Sequence, residues 1–429
     1  MNLVKFITLG CKANQYDTQN IRERLLDAGL KDAQDRRKAD IYIINTCTVT
    51  HKADRDSLYH INRAHRQNPK AKIIVTGCLA ELDGADISRQ PGVHLIVKNK
   101  NKNRIPELLN ELNAQTRKRI NAQTYITNKG ISYFEGHTRA FLKIQDGCNN
   151  FCSYCKVPLV RGKSRSKPLG EIIKEAKCLV ENGYKEIVLT GICLGSYGRD
   201  LKTRRDLVDI IDAIEGIDGL LRVRLSSIEA ADISDRLIRK MSCSKKLCRH
   251  LHIPIQSGDD KILKKMNRGY SSKSYSRLFR KIKSAVPEIA ITTDVLVGFP
   301  GEKERNFLHT AGLLKEILPL RVHIFPYSPR EYTPAYNFPD KIKPETVRER
   351  ISKLKETAQE CAYIYRKKFL GKKIEALIED KVQENPLLWE GYTDNYIRVC
   401  VKSDRNLKNQ VVSLRLKKIK KDCTEADLL

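Results

Sequence analysis

The 429-residue sequence predicts an α/β protein with three parts: an N-terminal open parallel α/β sheet, a central partial (β/α)6 barrel and a C-terminal small all-β barrel. Short apolar runs alternate with amphipathic stretches through the first hundred residues and again through residues 140–327, which is typical of parallel strands joined by crossover helices. The last residues instead form short alternating runs separated by polar turns. At roughly 150 residues per domain, the length fits three domains.

In the N-terminal part, each of the first three apolar runs is followed by a cysteine. Strands are predicted at Val4–Leu9, Asp40–Ile44 and Ile73–Thr76, helices at Thr18–Ala28 and 53–67, and the cysteines are Cys11, Cys47 and Cys78. Parallel strands end at one edge of their sheet, where open α/β sheets bind ligands. We therefore expect these three thiols to be neighbours in space.

The central part repeats the strand–helix pattern about six times. Strands are predicted at Ala140–Ile144, Glu186–Thr190, Leu221–Leu225, His250–Ile255, Ile291–Val297 and Arg321–Tyr327, and helices at Leu169–Asn182, Lys261–Lys265, Asn306–Ile317 and Pro344–Phe369. Short alternating strands follow at Lys373–Glu379, Tyr396–Lys402 and Gln410–Leu416. The predicted domains are 1–113, 138–368 and 369–429, and residues 114–137, which include Arg117-Lys118-Arg119, are predicted to be a basic linker.

The charge is strongly positive and unevenly distributed. The formal net charge is +29, of which +21 falls on residues 114–368. Such an excess of positive charge indicates either an ordinary solvated surface or a binding surface for a polyanion. Charge alone does not distinguish RNA from DNA or from a membrane surface. The longest apolar runs are far below the ~18 residues of a membrane span, and no signal-peptide pattern is present. We therefore expect a cytoplasmic protein, in which the 13 cysteines point to metal binding or catalysis rather than to disulfides.

Three further cysteines follow the first predicted barrel strand. Cys148, Cys152 and Cys155 have the spacing C-x3-C-x2-C, which suits a 4Fe–4S cluster with one open iron or a zinc site. Zinc needs a fourth ligand, and the nearest candidate is His137. An iron–sulfur cluster is the favoured interpretation, with zinc and coincidence as the alternatives. A zinc site at Cys243 and Cys248 is a weaker hypothesis, and the remaining cysteines have no convincing ligand spacing.

The motif C-x3-C-x2-C with Tyr154 before the last cysteine resembles the radical S-adenosylmethionine (SAM) superfamily. Further segments resemble its methylthiotransferase branch over essentially the whole chain: residues 138–148, 161–166, 189–191, 252–258, 266–270 and 294–302. From the resemblance we would expect an apolar residue at the position of Lys156 and an asparagine at the position of Cys193, and neither departure affects a cluster ligand.

This resemblance implies two 4Fe–4S clusters and S-adenosylmethionine as cofactors. Cys148, Cys152 and Cys155 match the ligands of the cluster that binds S-adenosylmethionine, and Cys11, Cys47 and Cys78 match those of an auxiliary cluster that holds the transferable sulfur. One S-adenosylmethionine would methylate that sulfur, and a second would generate the radical that removes hydrogen from carbon 2 of an adenine. By position, the candidate S-adenosylmethionine contacts are Tyr154, Thr190, Gly191, Glu229, Gln256, Ser257 and Gly298.

The C-terminal part resembles a TRAM domain, a small RNA-binding barrel, on the segment Gly391–Tyr396. Candidate nucleic-acid contacts are Arg161, Lys163, Arg165, Lys417 and Lys418, although the first three could instead brace the cluster loop. Segments 8–17 and 45–54 resemble the group that acts on N6-threonylcarbamoyladenosine at position 37 of tRNA. The expected partners are the tRNA anticodon stem–loop, a reductant such as flavodoxin or ferredoxin, and a sulfur source, with no membrane.

Three alternatives remain open at this point. Within the family, the substrate could be N6-isopentenyladenosine in tRNA or an aspartate of a ribosomal protein. Outside it, the chain could be a non-catalytic, metal-dependent RNA-binding protein. The last alternative is disfavoured because a structural site gains nothing from an open coordination position.

Overall fold

The computed structural model describes residues 3–33, 38–114, 130–203, 205–383 and 385–429. Most of the predicted basic linker, including Arg117-Lys118-Arg119, lies outside these residues. The chain forms two compact units. Unit 1 comprises Met1–Glu135, Asp146–Arg165 and Ser328–Thr333, and unit 2 comprises Gly136–Gln145, Ser166–Tyr327 and Pro334–Leu429. The cysteine loop after the first barrel strand therefore belongs to unit 1.

Unit 1 is built on a five-stranded parallel sheet with the strand order β2-β1-β3-β4-β5. Its strands are β1 (Leu3–Thr8), β2 (Lys31–Asp32), β3 (Ile41–Thr46), β4 (Lys72–Gly77) and β5 (Val93–Val97). Its helices are α1 (Lys12–Asp27), α2 (His51–Gln67), α3 (Cys78–Leu82), α4 (Gly84–Ser88), α5 (Ile105–Ala114) and α6 (Val157–Arg161), with a 3-10 turn at Asn99–Arg104. Every residue of β3 is buried, as expected for a central strand covered on both faces.

Unit 2 contains six parallel strands in two three-stranded sheets, ordered β10-β9-β6 and β11-β12-β13. Single bridges join the two sheets between Val223 and Leu247 and between Ser227 and His252. The strands are β6 (Ala140–Lys143), β9 (Glu186–Thr190), β10 (Arg222–Leu225), β11 (His250–His252), β12 (Ala290–Val297) and β13 (Arg321–Pro326). Two-residue strands, β7 (Gln145–Asp146) and β8 (Arg165–Ser166), flank the cysteine loop in sequence. The predicted partial (β/α)6 barrel is confirmed.

The helices of unit 2 follow the predicted amphipathic segments, and several were not predicted. They are α7 (Leu169–Glu181), α8 (Leu207–Glu215), α9 (Asp235–Cys243), α10 (Asp260–Lys265), α11 (Ser272–Ala285), α12 (Glu304–Ile317) and α13 (Pro344–Lys367), with 3-10 turns at Leu194–Ser196, Ala230–Asp232 and Pro334–Asn337. Among the residues described, no helix is both long and apolar enough to cross a bilayer.

The C-terminal segment closes into a five-stranded barrel, which confirms the predicted small all-β module. Its strands are β14 (Lys373–Val382), β15 (Asn385–Thr393), β16 (Arg398–Lys402), β17 (Val411–Ile419) and β18 (Thr424–Leu428), in the order β14-β15-β16-β18-β17. Its core includes Trp389, Val399 and Leu414. Sequence analysis missed β15 and β18, because Pro386 and Gly391 disfavour a strand and β18 is short and partly acidic.

Buried arginines from the strands of the barrel domain anchor this C-terminal module within unit 2. Arg224 donates from Nε to Glu186 Oε1 at 2.6 Å and from Nη1 and Nη2 to the carbonyl oxygens of Asp394 and Thr393. Its guanidinium also lies 4.8 Å from the centroid of the Tyr396 ring. Burial raises the pKa of Glu186, but the surrounding arginines outweigh burial and hold that pKa below its usual value. The pair is therefore ionised and fully buried.

Replacing Arg224 with methionine is expected to lower the free energy of unfolding by about 3–5 kcal/mol, because it leaves the Glu186 carboxylate buried without its main partner. The matched control is Arg236→Met. Arg236 pairs with Asp206 and Asp209 at 2.7 and 2.6 Å, but its side chain is 44% exposed, so the expected loss is about 0–1 kcal/mol. Urea unfolding of both variants measures the difference, and equal losses would contradict the assigned role of Arg224.

Candidate active site

The three N-terminal cysteines come together at the carboxyl edge of the sheet in unit 1. Cys11 is the residue before helix α1, Cys47 directly follows β3, and Cys78 directly follows β4 as the first residue of α3. Cys47 and Cys78 are buried, whereas Cys11 is exposed. All three are close enough to interact electrostatically, since Cys11 raises the pKa of both Cys47 and Cys78. The predicted grouping of these thiols agrees with the structure.

Two glycines, which have no side chain, provide the space in which the thiols come together. A methyl group on Gly10 would lie 2.7 Å from Cys47 Sγ, and one on Gly77 would lie 2.3 Å from the Thr46 carbonyl oxygen. Both glycines have positive φ values, 92° and 101°, which other residues rarely adopt. Backbone conformation and close approach therefore both require glycine beside this thiol group.

Burial makes Cys47 and Cys78 poor acids on their own. Burial raises the pKa of Cys47 to about 12, and it also raises the pKa of Cys78, against which the positive charges of Arg161 and Lys102 act. Thiols of this kind lose their protons when a metal centre binds them, because metal ligation stabilises the thiolate. Three converging thiols with cations nearby fit an anionic iron–sulfur group.

Arg161 and Lys102 hold the cationic side of this site in place. Arg161 Nη1 lies 3.1 Å from Asp17 Oδ2 and 3.1 Å from Asp146 Oδ1, and Nη2 donates to Asn14 Oδ1. Lys102 Nζ lies 2.8 Å from Asp17 Oδ2. The Arg161 side chain is only 2% exposed, so its position favours the bracing role over a contact with nucleic acid.

The loop with Cys148, Cys152 and Cys155 also belongs to unit 1 and is prepared for thiolate charge. The backbone N–H of Asn150 donates to Cys148 Sγ and that of Val157 to Cys155 Sγ, each at 3.4 Å. Hydrogen bonds to the charged form favour ionisation of the sulfur. Tyr154 lies in this loop and is partly buried, while Phe151, at positive φ, is 62% exposed.

Replacing Gly147 with alanine is expected to displace this loop and lower the bound iron by about four atoms per chain. Gly147 has φ 77°, and a methyl group there would lie 2.1 Å from the Lys163 carbonyl oxygen. Gly170→Ala is the control, because nothing lies within 4 Å of the added methyl group. Iron analysis of anaerobically purified protein tests the prediction, which fails if both variants retain the wild-type iron content.

In unit 2, Gly191 and Cys193 follow strand β9 and pack against one glutamine. Gln145 Oε1 accepts a hydrogen bond from the Cys193 N–H at 2.8 Å, and a methyl group on Gly191 would lie 2.8 Å from the same oxygen. Thr190 is buried, and its hydroxyl donates to the Val188 carbonyl at 3.2 Å. The absence of a side chain at Gly191 thus lets Gln145 approach the backbone at the end of β9. The Thr190 hydroxyl is used in a hydrogen bond within β9.

The other four cofactor candidates in unit 2 also lie at or just after strand ends, and each has local partners. Glu229 pairs with Arg268, and burial raises the pKa of Glu229 against the effect of that arginine. Gln256 adopts φ 58° and bridges to Val295. Ser257 Oγ accepts from the Asp259 N–H, and Gly298 donates its N–H to Glu302. Their binding of S-adenosylmethionine stays a prediction.

Sequence analysis missed a polar cluster on the barrel strands of unit 2. The ligand atoms of His252, Asp294 and His323 all lie within 4.8 Å of one another. They come from β11, β12 and β13, and His252 Nδ1 lies 2.9 Å from Thr292 Oγ1. In the sequence, the three residues stand out only as polar positions within predicted strands. They come together because β11, β12 and β13 pair, and the sequence pattern does not show which strands pair.

A second missed pair is Cys400 and Cys423 in the C-terminal barrel. Their thiols are in hydrogen-bonding contact, which raises the pKa of Cys400 and lowers that of Cys423. The two residues are adjacent because β16 and β18 pair, with Val399 opposite Thr424. The strand β18 was not predicted, so nothing in the sequence analysis placed the two cysteines together.

The other candidate RNA contacts lie on the surface. Lys163, Arg165, Lys417 and Lys418 are exposed, although Lys417 pairs with Asp427. The segment Gly391–Tyr396 instead faces the core of unit 2. The rings of Tyr392 and Tyr396 stack with centroids 4.9 Å apart, and Arg139 lies 4.9 Å from the Tyr392 ring. This segment therefore anchors the module, and RNA binding by the barrel stays a prediction.

Two family models match the chain. Residues 3–98 match the Uncharacterized protein family UPF0004, and residues 142–314 match the Radical SAM superfamily. The first match covers the sheet with Cys11, Cys47 and Cys78, and the second covers the loop with Cys148, Cys152 and Cys155.

Curated relatives are similar over nearly the whole chain. Threonylcarbamoyladenosine tRNA methylthiotransferase MtaB of Bacillus subtilis (strain 168) is 39% identical over 426 residues, which is 97% of this chain and 94% of that protein. The tRNA-2-methylthio-N(6)-dimethylallyladenosine synthase of Clostridium tetani (strain Massachusetts / E88) is 35% identical over 424 residues, which is 96% of this chain and 93% of that protein.

A solved structure supports the fold. The radical S-adenosylmethionine methyltransferase TsrM from Kitasatospora setae matches with a TM-score of 0.55 and 15% identity, covering 78% of this chain and 77% of TsrM. At this identity the likeness concerns the fold alone.

Proposed function

Because this chain belongs to the methylthiotransferase family of radical SAM enzymes, we propose that its substrate is N6-threonylcarbamoyladenosine at position 37 of tRNA. The product would carry a methylthio group on carbon 2 of the adenine. As a tRNA methylthiotransferase of this family, the protein uses 4Fe–4S clusters and S-adenosylmethionine.

Two observations support this choice of substrate. The relatives at 37–39% identity include threonylcarbamoyladenosine enzymes from Bacillus subtilis and Thermotoga maritima, whereas the clostridial dimethylallyladenosine synthases are 34–35% identical. The segments after Cys11 and Cys47 independently resemble the threonylcarbamoyladenosine group.

The single observation that carries the mechanism is the presence of two thiol triads in one compact unit. We assign Cys148, Cys152 and Cys155 to the cluster that binds S-adenosylmethionine, and Cys11, Cys47 and Cys78 to the auxiliary cluster. When bound, these groups supply the radical and the methylated sulfur. The chain itself supplies N–H groups to Sγ of Cys148 and Cys155, and cations beside Cys78.

The remaining requirements are those of an RNA substrate and of reductive chemistry. The anticodon stem–loop must present its base out of the stack, and the exposed Phe151 offers an aromatic surface near the cluster loop. A reductant protein such as flavodoxin or ferredoxin and a sulfur source are part of the proposal, as is action in the cytoplasm, where tRNA is found.

Nucleoside mass spectrometry of tRNA tests the proposal directly. A strain lacking the gene should accumulate threonylcarbamoyladenosine and lose its 2-methylthio form, and the wild-type gene should restore that form. Genes encoding Cys148→Ala or Cys47→Ala should not restore it. The control is Cys178→Ala, since Cys178 lies on helix α7 in unit 2.

The other substrates give different results in the same strain. A change in the isopentenyladenosine derivative would contradict the proposed substrate while retaining the chemistry. If the tRNA profile did not change, intact-mass analysis of ribosomal proteins would test the aspartate alternative. Purified protein that contains zinc and no sulfide would contradict the enzyme assignment.

A further inference from the structure

Arg330 of unit 1 is a buried arginine whose hydrogen bonding is incomplete. It is 2% exposed, and Nη2 donates to Thr48 Oγ1 at 2.8 Å and to Asp54 Oδ2 at 2.5 Å. Its Nε and Nη1 are buried and have no hydrogen-bond partner among the described residues. Leaving charged donors buried and unsatisfied is costly, so such donors normally meet a partner.

A second cation lies near Arg330. Lys156 is largely buried and directly follows Cys155, and its Nζ lies 5.7 Å from the centroid of the exposed Tyr332 ring. Lys156 and Arg330 are close enough for their positive charges to interact.

Neighbouring carboxylates do not satisfy both cations. Asp54 is engaged through one oxygen with Arg330 Nη2, and no ion pair joins Asp83 to Lys156 or Arg330 among the described residues, although its charge acts on both. Glu331 also contributes to the charge around Lys156, but it is exposed. A buried fork with unused donors beside an ammonium group is the arrangement that binds an oxyanion.

The location of this cation pair relates it to the substrate. Arg330 contacts Thr48, which follows Cys47, and Lys156 follows Cys155, so the pair joins the loops of both thiol triads within unit 1. The cation pair therefore lies beside a residue that follows a thiol of each triad, which are the groups proposed to act on the substrate base.

We propose that Arg330 and Lys156 form an anion site that binds the carboxylate of the N6-threonylcarbamoyl substituent. This inference rests on the proposed function, because only that substrate carries a carboxylate at N6. An RNA phosphate has the same chemistry toward these cations, and the test distinguishes the two anions.

The experiment measures binding of anaerobically prepared holoenzyme to three anticodon stem–loop RNAs. One carries threonylcarbamoyladenosine, one carries its methyl ester, and one carries adenosine. The wild type should bind the acid about tenfold more tightly than the ester, as one charge-assisted hydrogen bond predicts. Lys156→Met should weaken binding of the acid and leave binding of the ester unchanged, which removes most of the preference.

Two further variants complete the design. Arg330→Lys keeps a cation for Asp54 but removes the unused donors, so it should also reduce the preference while retaining wild-type iron content. Lys70→Met is the control, because Lys70 is an exposed residue outside the site, and it should keep the full preference.

Equal affinity of the wild type for the acid and the ester would overturn the proposal. So would an equal loss for all three RNAs in Lys156→Met together with a smaller salt dependence, which would identify a phosphate contact. These outcomes differ from failure of the proposed function, in which the RNA with threonylcarbamoyladenosine is not converted to product at all.

Discussion

Replacing Cys148 with alanine is expected to abolish both reductive cleavage of S-adenosylmethionine and methylthio transfer, whereas replacing Cys47 is expected to abolish only the transfer. The difference follows from the two triads. The loop with Cys148 directs backbone N–H groups at its own thiols, while Cys47 lies with Cys11 and Cys78 at the edge of the sheet. Each triad has only three thiols, so one alanine removes a third of the ligands.

The measurement is a pair of product analyses on the same anaerobic reaction. In Cys148→Ala, 5′-deoxyadenosine and methylthiolated RNA should both fall below about one thousandth of the wild-type rate, a barrier increase of about 4 kcal/mol. In Cys47→Ala, 5′-deoxyadenosine should still form. Iron should fall by about four atoms per chain in each variant, because a 4Fe–4S cluster is lost in each.

Cys178→Ala controls for nonspecific effects of removing a thiol. It should retain both products and the full iron content. If Cys47→Ala lost S-adenosylmethionine cleavage as completely as Cys148→Ala, the division of labour between the triads would be wrong. If it retained methylthio transfer, Cys47 would not be a ligand.

The layout of the fold could be predicted because apolar periodicity is a local property of the sequence. Strands β3 and β4 are almost entirely buried and rich in apolar residues, whereas only Val4 of β1 is buried. The cysteines directly after β3 and β4 take their position from these strands. Neighbouring parallel strands fix which residues lie at one edge, so residues 31 or more positions apart in sequence could be grouped without knowing any contact.

What could not be predicted depends on pairing between distant segments. Asp17, Lys102 and Arg161 form one charged group, yet each is an ordinary polar residue in its own segment. Arg330 comes from a short stretch that belongs to unit 1, although the strand before it belongs to unit 2. Local sequence patterns do not show that the chain passes from one unit to the other at such a point.

The same distinction explains the outcome for Gly391–Tyr396. The segment was recognised by its resemblance to an RNA-binding module, but recognition of a motif does not specify which face of a barrel it occupies. In the structure its carbonyl groups accept hydrogen bonds from Arg222 and Arg224. The RNA-binding role of the module therefore stays a prediction that depends on its other faces.

Replacing Arg161 with methionine is expected to lower the free energy of unfolding of unit 1 by about 3–5 kcal/mol, since it removes one partner from a buried ionic group. Arg161 connects Asp17 and Asn14 of helix α1 to Asp146, which precedes the cysteine loop. Its positive charge also opposes the effect of burial on the pKa of Cys78. We therefore expect loss of the auxiliary iron as well as loss of stability.

Arg165→Met is the matched control, because Arg165 is exposed and donates to the carbonyl oxygens of Lys163 and Arg161. Its expected effect on stability is within about 0.5 kcal/mol. Arg161→Lys should fall between the two, since an ammonium group keeps the charge but cannot serve both aspartates and Asn14 in one planar arrangement. Urea unfolding and iron content measure these differences.

The outcome also decides between the two roles considered for Arg161. If it contacted RNA phosphate, the methionine variant would keep its stability and iron, and its RNA affinity would lose about one unit of salt dependence. A buried brace predicts the opposite, because stability and iron would fall while the salt dependence of binding by the remaining intact protein stayed unchanged. The guanidinium already has Asp17, Asp146 and Asn14 as partners, so a phosphate would have to displace a carboxylate that is fixed in place, and we expect the second result.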